Sequence, residues 1–176
     1  MRATSGRCGG MTYASLDSYG RSNRLPRDAK ALDRHLAQRS ADSILSNGAR
    51  FALWSISPDR SSSPLVEGVA ELTRAEEVPT LAEALRSGPV PLGLVRAKNL
   101  GEIGRNHQVV AYAIHQEGSV VSIWVYDSCQ PKADDVRLVV DLADPDAPIT
   151  EYAGTWVIAE WRGLFVERYA PTGPSK

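Results

Sequence analysis

The sequence predicts an α+β fold in which N-terminal helices pack on an antiparallel β-sheet. The first half of the chain carries helical periodicity with recognisable caps, whereas apolar strands separated by short turns follow from about residue 91. Helices first and strands afterwards are typical of a fold with two packed layers. The chain has 176 residues, of which 43% are hydrophobic, enough for one domain with a sizeable core. We therefore expect a single domain over residues 1–170 and a flexible C-terminal tail over 171–176.

Two helices are predicted near the N-terminus. "CGGMTYASLDSY" (8–19) indicates a short helix with its aromatic and leucine side chains on one side. The second helix lies within 24–48, where Asp28 follows a proline and is a suitable N-terminal cap. Asn47 and Gly48 are typical of a helix end, so we expect the second helix to stop there.

The rest of the first half gives one further clear helix. "FALWSIS" (51–57) indicates a brief buried element, either helix or turn. "PTLAEALRSGP" (79–89) has Thr80 as a predicted cap and Glu83 as the partner that completes a capping box. Gly88, followed by proline, is expected to end this helix.

The second half indicates six strands. The second and third of them are joined by a turn at Glu117–Gly118, which predicts a β-hairpin. The predicted strands cover residues 91–97, 107–114, 119–127, 136–142, 155–161 and 164–170.

Composition excludes several classes of function. A net charge of -1 gives no basic field for nucleic acid, and no apolar run approaches the roughly 20 residues of a membrane helix. The first ten residues, "MRATSGRCGG", lack the apolar stretch of a secretory signal, so we expect a cytoplasmic protein with reduced cysteines. "DLADPDAP" lacks the glycine-containing loop of a calcium site, and we predict neither a metal nor an organic cofactor.

Cys8 is the candidate nucleophile, because it lies in the first turn of a predicted helix, where the helix dipole favours a reactive thiol. Such a cysteine needs a base and a group that orients the base. His107 begins an apolar strand directly after a polar loop, so its side chain is rigidly held yet accessible. Of the three histidines, His35 lies in a charged helix and His115 beside a turn, where surface positions are expected.

Asp127 is the candidate orienting acid. It and His107 lie about 9 and about 10 residues from the hairpin turn, and neighbouring strands are about 4.8 Å apart. An imidazole and a carboxylate placed there can form a hydrogen bond that fixes the histidine tautomer. Simpler interpretations remain open: a packing cysteine at Cys8, a structural strand-end histidine, and an aspartate that only forms a turn. Cys129, close to Asp127, permits a second thiol at the site.

The motifs "CGGM", "PVPLGLV", "NHQVVAY", "VYD" and "RGLFVERYAP" occur in an order that resembles the papain-like cysteine peptidase fold across most of the chain. More narrowly, the sequence is similar to bacterial domains related to the peptidases that process double-glycine leaders. This resemblance implies a peptide or amide substrate, with Cys8 as nucleophile, His107 as base and Asp127 as orienting acid. The chain departs from the pattern at Arg2, where papain-like enzymes usually have an oxyanion-binding glutamine, and has "YDS" in place of "YDP".

Three functions therefore stay open at this point. The first is a cysteine hydrolase that forms a thioester intermediate. The second uses the same residues but transfers the acyl group to an amine, as transglutaminases and arylamine acyltransferases do. The third is a catalytically inactive binding module, which the absent glutamine favours, since loss of one oxyanion donor typically costs about 100- to 1000-fold in rate. Fold alone does not choose among them.

Overall fold

A computed structural model of the protein describes residues 7–21, 25–63 and 67–172, and these residues have the predicted α+β class. Helices occupy the first half of the chain. They are α1 (Cys8–Arg21), α2 (Ala29–Ile56), α3 (Val69–Leu72) and α4 (Val78–Ala84), with a π-helical turn at Thr73–Glu77 between α3 and α4 and 3-10 turns at Leu85–Ser87 and Leu100–Arg105.

The second half forms one seven-stranded antiparallel sheet that curls into a half-barrel. The spatial order is β6-β5-β4-β3-β2-β1-β7, so the last strand returns to pair with the first. The strands are β1 (Val90–Val95), β2 (His107–Glu117), β3 (Val120–Tyr126), β4 (Val136–Asp141), β5 (Ile149–Ala153), β6 (Trp156–Trp161) and β7 (Gly163–Val166).

The core forms because alternate strand residues point into the curl of the sheet. Leu94 on β1 pairs with His107 on β2, and Leu92 pairs with Val109, so the histidine shares a face with core residues. A second cluster under α2 contains Trp54 and Phe165, whose rings meet edge to face at 5.2 Å. His107 thus lies at the rim of a rigid core. The fully buried strand residues of the core include Leu92, Leu94, Val109, Ile123, Leu138 and Leu164.

Two helix ends differ from the prediction. Asp28 caps α2 as predicted, accepting a 2.9 Å hydrogen bond from the Ala31 N–H, but the helix continues through Gly48 to Ile56. Glycine weakens a helix by only about 1 kcal/mol, and packing outweighs that cost here. The Asn47 side chain does not end the helix, because its amide is used in buried hydrogen bonds to the Tyr13 hydroxyl and the Arg168 carbonyl.

The predicted capping box at Thr80 is wrong. The chain is already helical from Val69, so α4 follows the π-helical turn without a break, and Thr80 is an exposed residue inside it. Glu77 precedes α4 in helical conformation, and its buried carboxylate accepts from the Val166 N–H at 2.9 Å. The helical run does end at Gly88, whose φ of 137° favours glycine.

Two features of the sheet differ from the prediction: β5 was not predicted, and the last strand is shorter than predicted. β5 is a five-residue strand with a glutamate at its centre, and short, mixed segments give little periodicity. β7 ends at Val166 because the following residues leave the sheet and bond to α1 and α2.

Helices α1 and α2 are joined by a buried ion pair. Arg39 on α2 lies 2.8 Å from Asp17 on α1, and both side chains are almost fully buried. Asp17 also accepts hydrogen bonds from Tyr169 and from Thr172, which belongs to the predicted tail. These contacts fix the orientation of α1 on the sheet, while residues 173–176 lie outside the described part of the chain.

Among the described residues, no helix is both long enough and apolar enough to cross a membrane.

Candidate active site

The predicted position of Cys8 at a helix start is confirmed, since it is the first residue of α1. The helix begins with a hydrogen bond from the Met11 N–H to the Arg7 carbonyl. One turn later, the Thr12 hydroxyl donates to the backbone carbonyl of Gln108 at 3.0 Å. This bond fastens the N-terminal turn of α1 to the first residues of β2, so the half-buried thiol lies beside His107 and Gln108.

The predicted contact between His107 and Asp127 is present, with Nε2 of the ring 2.7 Å from Oδ1 of the carboxylate. Asp127 follows β3, and its side chain is buried. The same Oδ1 also accepts the Cys129 backbone N–H at 2.8 Å. Two donors therefore hold the carboxylate still, and the carboxylate in turn fixes the plane of the imidazole ring.

The electrostatic setting of His107 favours its cation. Burial lowers the pKa of the ring, but hydrogen bonds and charge from Asp127 and Cys8 outweigh burial and raise it to about 10. Because Nε2 is taken by Asp127, Nδ1 is the nitrogen left for Cys8. A histidine that is cationic at neutral pH beside a thiol is what a thiolate–imidazolium pair requires.

Two further residues on the far side of the ring were missed by sequence reasoning. Trp161 stacks on His107, with ring centroids 6.0 Å apart and planes 17° apart. Its indole N–H donates to Glu151 at 2.9 Å, and burial raises the pKa of that carboxyl, with the charge of Asp127 adding to the effect. Since Glu151 lies on the missed strand β5, no local pattern pointed to it. The indole ring of Trp161 therefore covers one face of the imidazole.

A cleft of about 330 Å³ opens at the thiol. Its apolar wall comes from α2 and from the 3-10 turn before β2, and its polar residues come from α2 and from the start of β2. The lining includes Cys8, Ile44, Phe51, Ile103, Asn106 and Gln108. A larger cavity of about 670 Å³ lies between α1 and residues 85–89 and contains none of the three predicted site residues. The chemistry of the side chains, rather than cavity size, therefore identifies the site.

Gln108 is the other residue that the sequence did not reveal. Its Oε1 lies 3.8 Å from the Cys8 sulfur, while its Nε2 donates to Ser43 and to Glu167, both at 2.6 Å. A Cβ on Gly9 would overlap Oε1 and the Ser43 hydroxyl, so a side chain there would displace this amide from its place beside the thiol. Burial raises the pKa of Glu167 to about 7, despite hydrogen bonds from Gln108 and Tyr13 that lower it.

Cys129 brings a second thiol to the site. It is exposed and free, and burial of part of its surface raises its pKa, although His107 opposes that shift. The Cys129 sulfur, a His107 ring nitrogen and an Asp127 carboxylate oxygen all lie within 4.8 Å of one another. Among the described residues, this is the one group of three or more side chains that are close enough to share a metal ion. A thiol, an imidazole and a carboxylate suit zinc chemically. In this arrangement, however, Nε2 and Oδ1 are bonded to each other. The prediction of no metal stays a prediction.

Arg2, at the position where papain-like enzymes usually have an oxyanion glutamine, lies outside the described residues.

We expect the buried Glu167 to make stability depend on pH. Its pKa is higher in the folded chain than its ordinary value of 4.5, so its contribution is fully present below about pH 4.5 and is lost as the pH rises to about 7. The shift corresponds to about 3 kcal/mol. The difference in unfolding free energy between Glu167→Gln and wild type should therefore grow in favour of the variant by about 3 kcal/mol as the pH rises from about 4.5 to about 8. Urea denaturation at a series of pH values measures it.

The exposed Glu160 on β6 provides a matched control. Glu160→Gln should follow the wild-type curve, and parallel curves for all three proteins would contradict the assignment of a perturbed carboxyl at Glu167.

No family model, no curated protein and no solved structure matches the chain.

Proposed function

We propose that the protein is a papain-like cysteine hydrolase that cleaves a peptide or amide bond. Cys8 is the nucleophile, His107 the general acid and base, and Asp127 the group that orients the imidazole. The observation that carries the proposal is the 2.7 Å hydrogen bond between His107 and the buried Asp127, beside a Cys8 thiol that contributes to the raised pKa of the imidazole. Each of these three residues has a role in hydrolysis that needs the other two.

The reaction follows from these positions. The Cys8 thiolate attacks the substrate carbonyl carbon and forms a C–S bond, while the carbonyl electrons move to oxygen. The His107 cation gives its Nδ1 proton to the leaving nitrogen as the C–N bond breaks, which leaves a thioester on Cys8 and a neutral imidazole. Water then loses a proton to His107 and attacks the thioester, releasing the carboxylic acid and restoring the thiolate–imidazolium pair.

The fold supports the same proposal. A cysteine at the start of a helix packed on a sheet, facing a histidine at the start of a strand, is the arrangement that the motif resemblance implies. The cleft beside the thiol has an apolar wall formed by Ile44, Phe51 and Ile103, which suits an extended substrate with a hydrophobic side chain.

We expect iodoacetamide at about pH 6 to alkylate Cys8 at least about tenfold faster than Cys129. The Cys8 thiol lies at a helix start beside the His107 cation, whereas burial raises the pKa of the Cys129 thiol despite the same histidine. Peptide mass mapping after short exposure gives both rates in one sample. Cys8→Ser and Cys129→Ser variants check the assignment of each signal.

Turnover is tested with a 4-nitrophenyl ester. Mass spectrometry should show an acyl group on Cys8 that water removes, and faster removal by an added amine would favour acyl transfer over hydrolysis. Equal and slow alkylation of both cysteines, with no acyl adduct, would leave a binding module as the better description.

A further inference from the structure

The buried Gln108 side chain connects two ionisable groups, the Cys8 thiol and the Glu167 carboxyl. One end of its amide faces the Cys8 sulfur at 3.8 Å, and the other end donates to Glu167 at 2.6 Å. Gln108 is 8% exposed, and Glu167 is 5% exposed. The hydrolase mechanism above uses neither residue, although both lie within one or two hydrogen bonds of the proposed nucleophile.

The orientation of this amide follows from what Glu167 can accept. A carboxylate only accepts hydrogen bonds, so it takes the N–H end of Gln108 and turns the carbonyl end towards Cys8. A carbonyl oxygen favours the protonated thiol and repels a thiolate. A neutral carboxylic acid also has an O–H donor, and when that donor pairs with the carbonyl end of Gln108, the N–H end turns towards the sulfur. Ser43 permits both orientations, since a hydroxyl both donates and accepts.

The surroundings of Glu167 leave it as the group that changes charge near neutral pH. Tyr13 from α1 faces it, and burial, with the charge of Glu167, raises the pKa of that phenol to about 12. From α2, Asn47 is uncharged and lies 3.4 Å away, and Arg50 supplies a positive charge that is paired with Glu77 on the π-helical turn. An arginine stays protonated throughout the relevant range.

We propose that Gln108 is a positioning residue that transmits the protonation state of Glu167 to Cys8. When Glu167 is ionised, the Gln108 carbonyl is held against the thiol. When Glu167 is neutral, the amide turns and its N–H stabilises the thiolate. The same N–H can then donate to the substrate carbonyl oxygen. Papain-like enzymes usually use a glutamine before the cysteine for this donation, and this chain has Arg2 there. The proton moves only between Glu167 and solvent. This inference rests on the proposed hydrolase function and adds an acid-activated regulation of that site.

The test measures the thiolate of Cys8 by its ultraviolet absorbance in a Cys129→Ser background, with Cys8→Ser subtracted. An ordinary thiol becomes more ionised as the pH rises. Here we expect the opposite between about pH 6 and pH 8, a fall of the thiolate signal by about half or more as Glu167 ionises. In Glu167→Gln the fall should disappear.

Gln108→Met separates transmission through the amide from direct repulsion between two charges. The methionine is similar in size and cannot turn a donor towards sulfur, so the fall should disappear here too, whereas direct repulsion by Glu167 would preserve it and overturn the proposal. If Gln108→Met does not fold, NMR of the Gln108 side-chain amide protons in the unsubstituted protein gives a second measurement. Their chemical shifts should change with the same midpoint as the thiolate signal, and a pH-independent amide would overturn the proposal.

The two proposals fail in different ways. A Cys8 that shows no thiolate at either pH contradicts the hydrolase. A thiolate that is present but rises steadily with pH, in wild type and in Glu167→Gln alike, contradicts only the transmission through Gln108.

Discussion

In a His107→Ala variant, iodoacetamide should alkylate Cys8 at about pH 6 roughly 100-fold more slowly than in wild type. The imidazolium of His107 is the positive charge beside the sulfur, and its pKa of about 10 keeps it charged throughout the neutral range. Without it, the thiol behaves as an ordinary cysteine, which is ionised to well under about one per cent at that pH. The rate constant at Cys8, measured by peptide mass mapping, gives the size of the effect.

His115 offers the matched control, since it lies on the same strand near the hairpin turn and is exposed. His115→Ala should leave the alkylation of Cys8 unchanged. Because His107 also stacks on Trp161, circular dichroism should confirm that His107→Ala stays folded. A folded His107→Ala protein that reacts at the wild-type rate would mean that the histidine is structural.

The contact between His107 and Asp127 was predictable because a hairpin returns the chain to its start. The register that produces it differs from simple counting, however. β2 and β3 pair regularly from Glu117↔Val120 to Ala113↔Trp124, then shift by one residue at a bulge before Val110↔Tyr126. Continued outward, this register places Asp127 opposite Val109 and on the same face as His107. The short strand spacing lets the side chains meet diagonally.

The buried carboxylates of the site could not be predicted in the same way. Glu151 lies on β5 and Glu167 directly follows β7, both far along the chain from His107, so their burial depends on how β5 and β7 are placed. A glutamate in a short strand or after a strand usually lies in solvent. Only the curled sheet and the helices packed on it show that both are buried.

The two glycines after Cys8 have a clear physical reason in the structure. Gly9 leaves space for the Gln108 amide, and a Cβ on Gly10 would overlap the Leu36 carbonyl and the Ser40 hydroxyl of α2. The sequence alone could not identify these partners, which come from β2 and α2. The same limit explains the error at Gly48, where a glycine signals a helix end but the packing of α2 carries the helix onward.

Asp127→Asn should keep the fold while removing most of the catalytic activity. The asparagine oxygen can still accept the Cys129 N–H, so the turn after β3 is preserved. Its side chain carries no charge, so it no longer stabilises the His107 cation, and its N–H₂ group competes for the wrong imidazole tautomer. Loss of this charge from a triad lowers turnover on the order of a thousandfold or more, which ester hydrolysis by the variant would measure.

The same substitution has a predicted signature in stability that a simple turn residue would not give. The pKa of His107 rises from 6.5 to about 10 on folding, so its contribution to stability is fully present below about pH 6.5 and disappears as the pH approaches 10. The unfolding free energies of wild type and Asp127→Asn should therefore differ most near pH 6 and converge near pH 10 in urea denaturation. Asp135→Asn is the control, because Asp135 is an exposed residue before β4 that forms an ion pair with Arg137. The difference in unfolding free energy between this variant and wild type should not change over this pH range. A difference at Asp127 that is equally independent of pH would assign the residue to the turn alone, because only a charge that acts on His107 follows the titration of the imidazole.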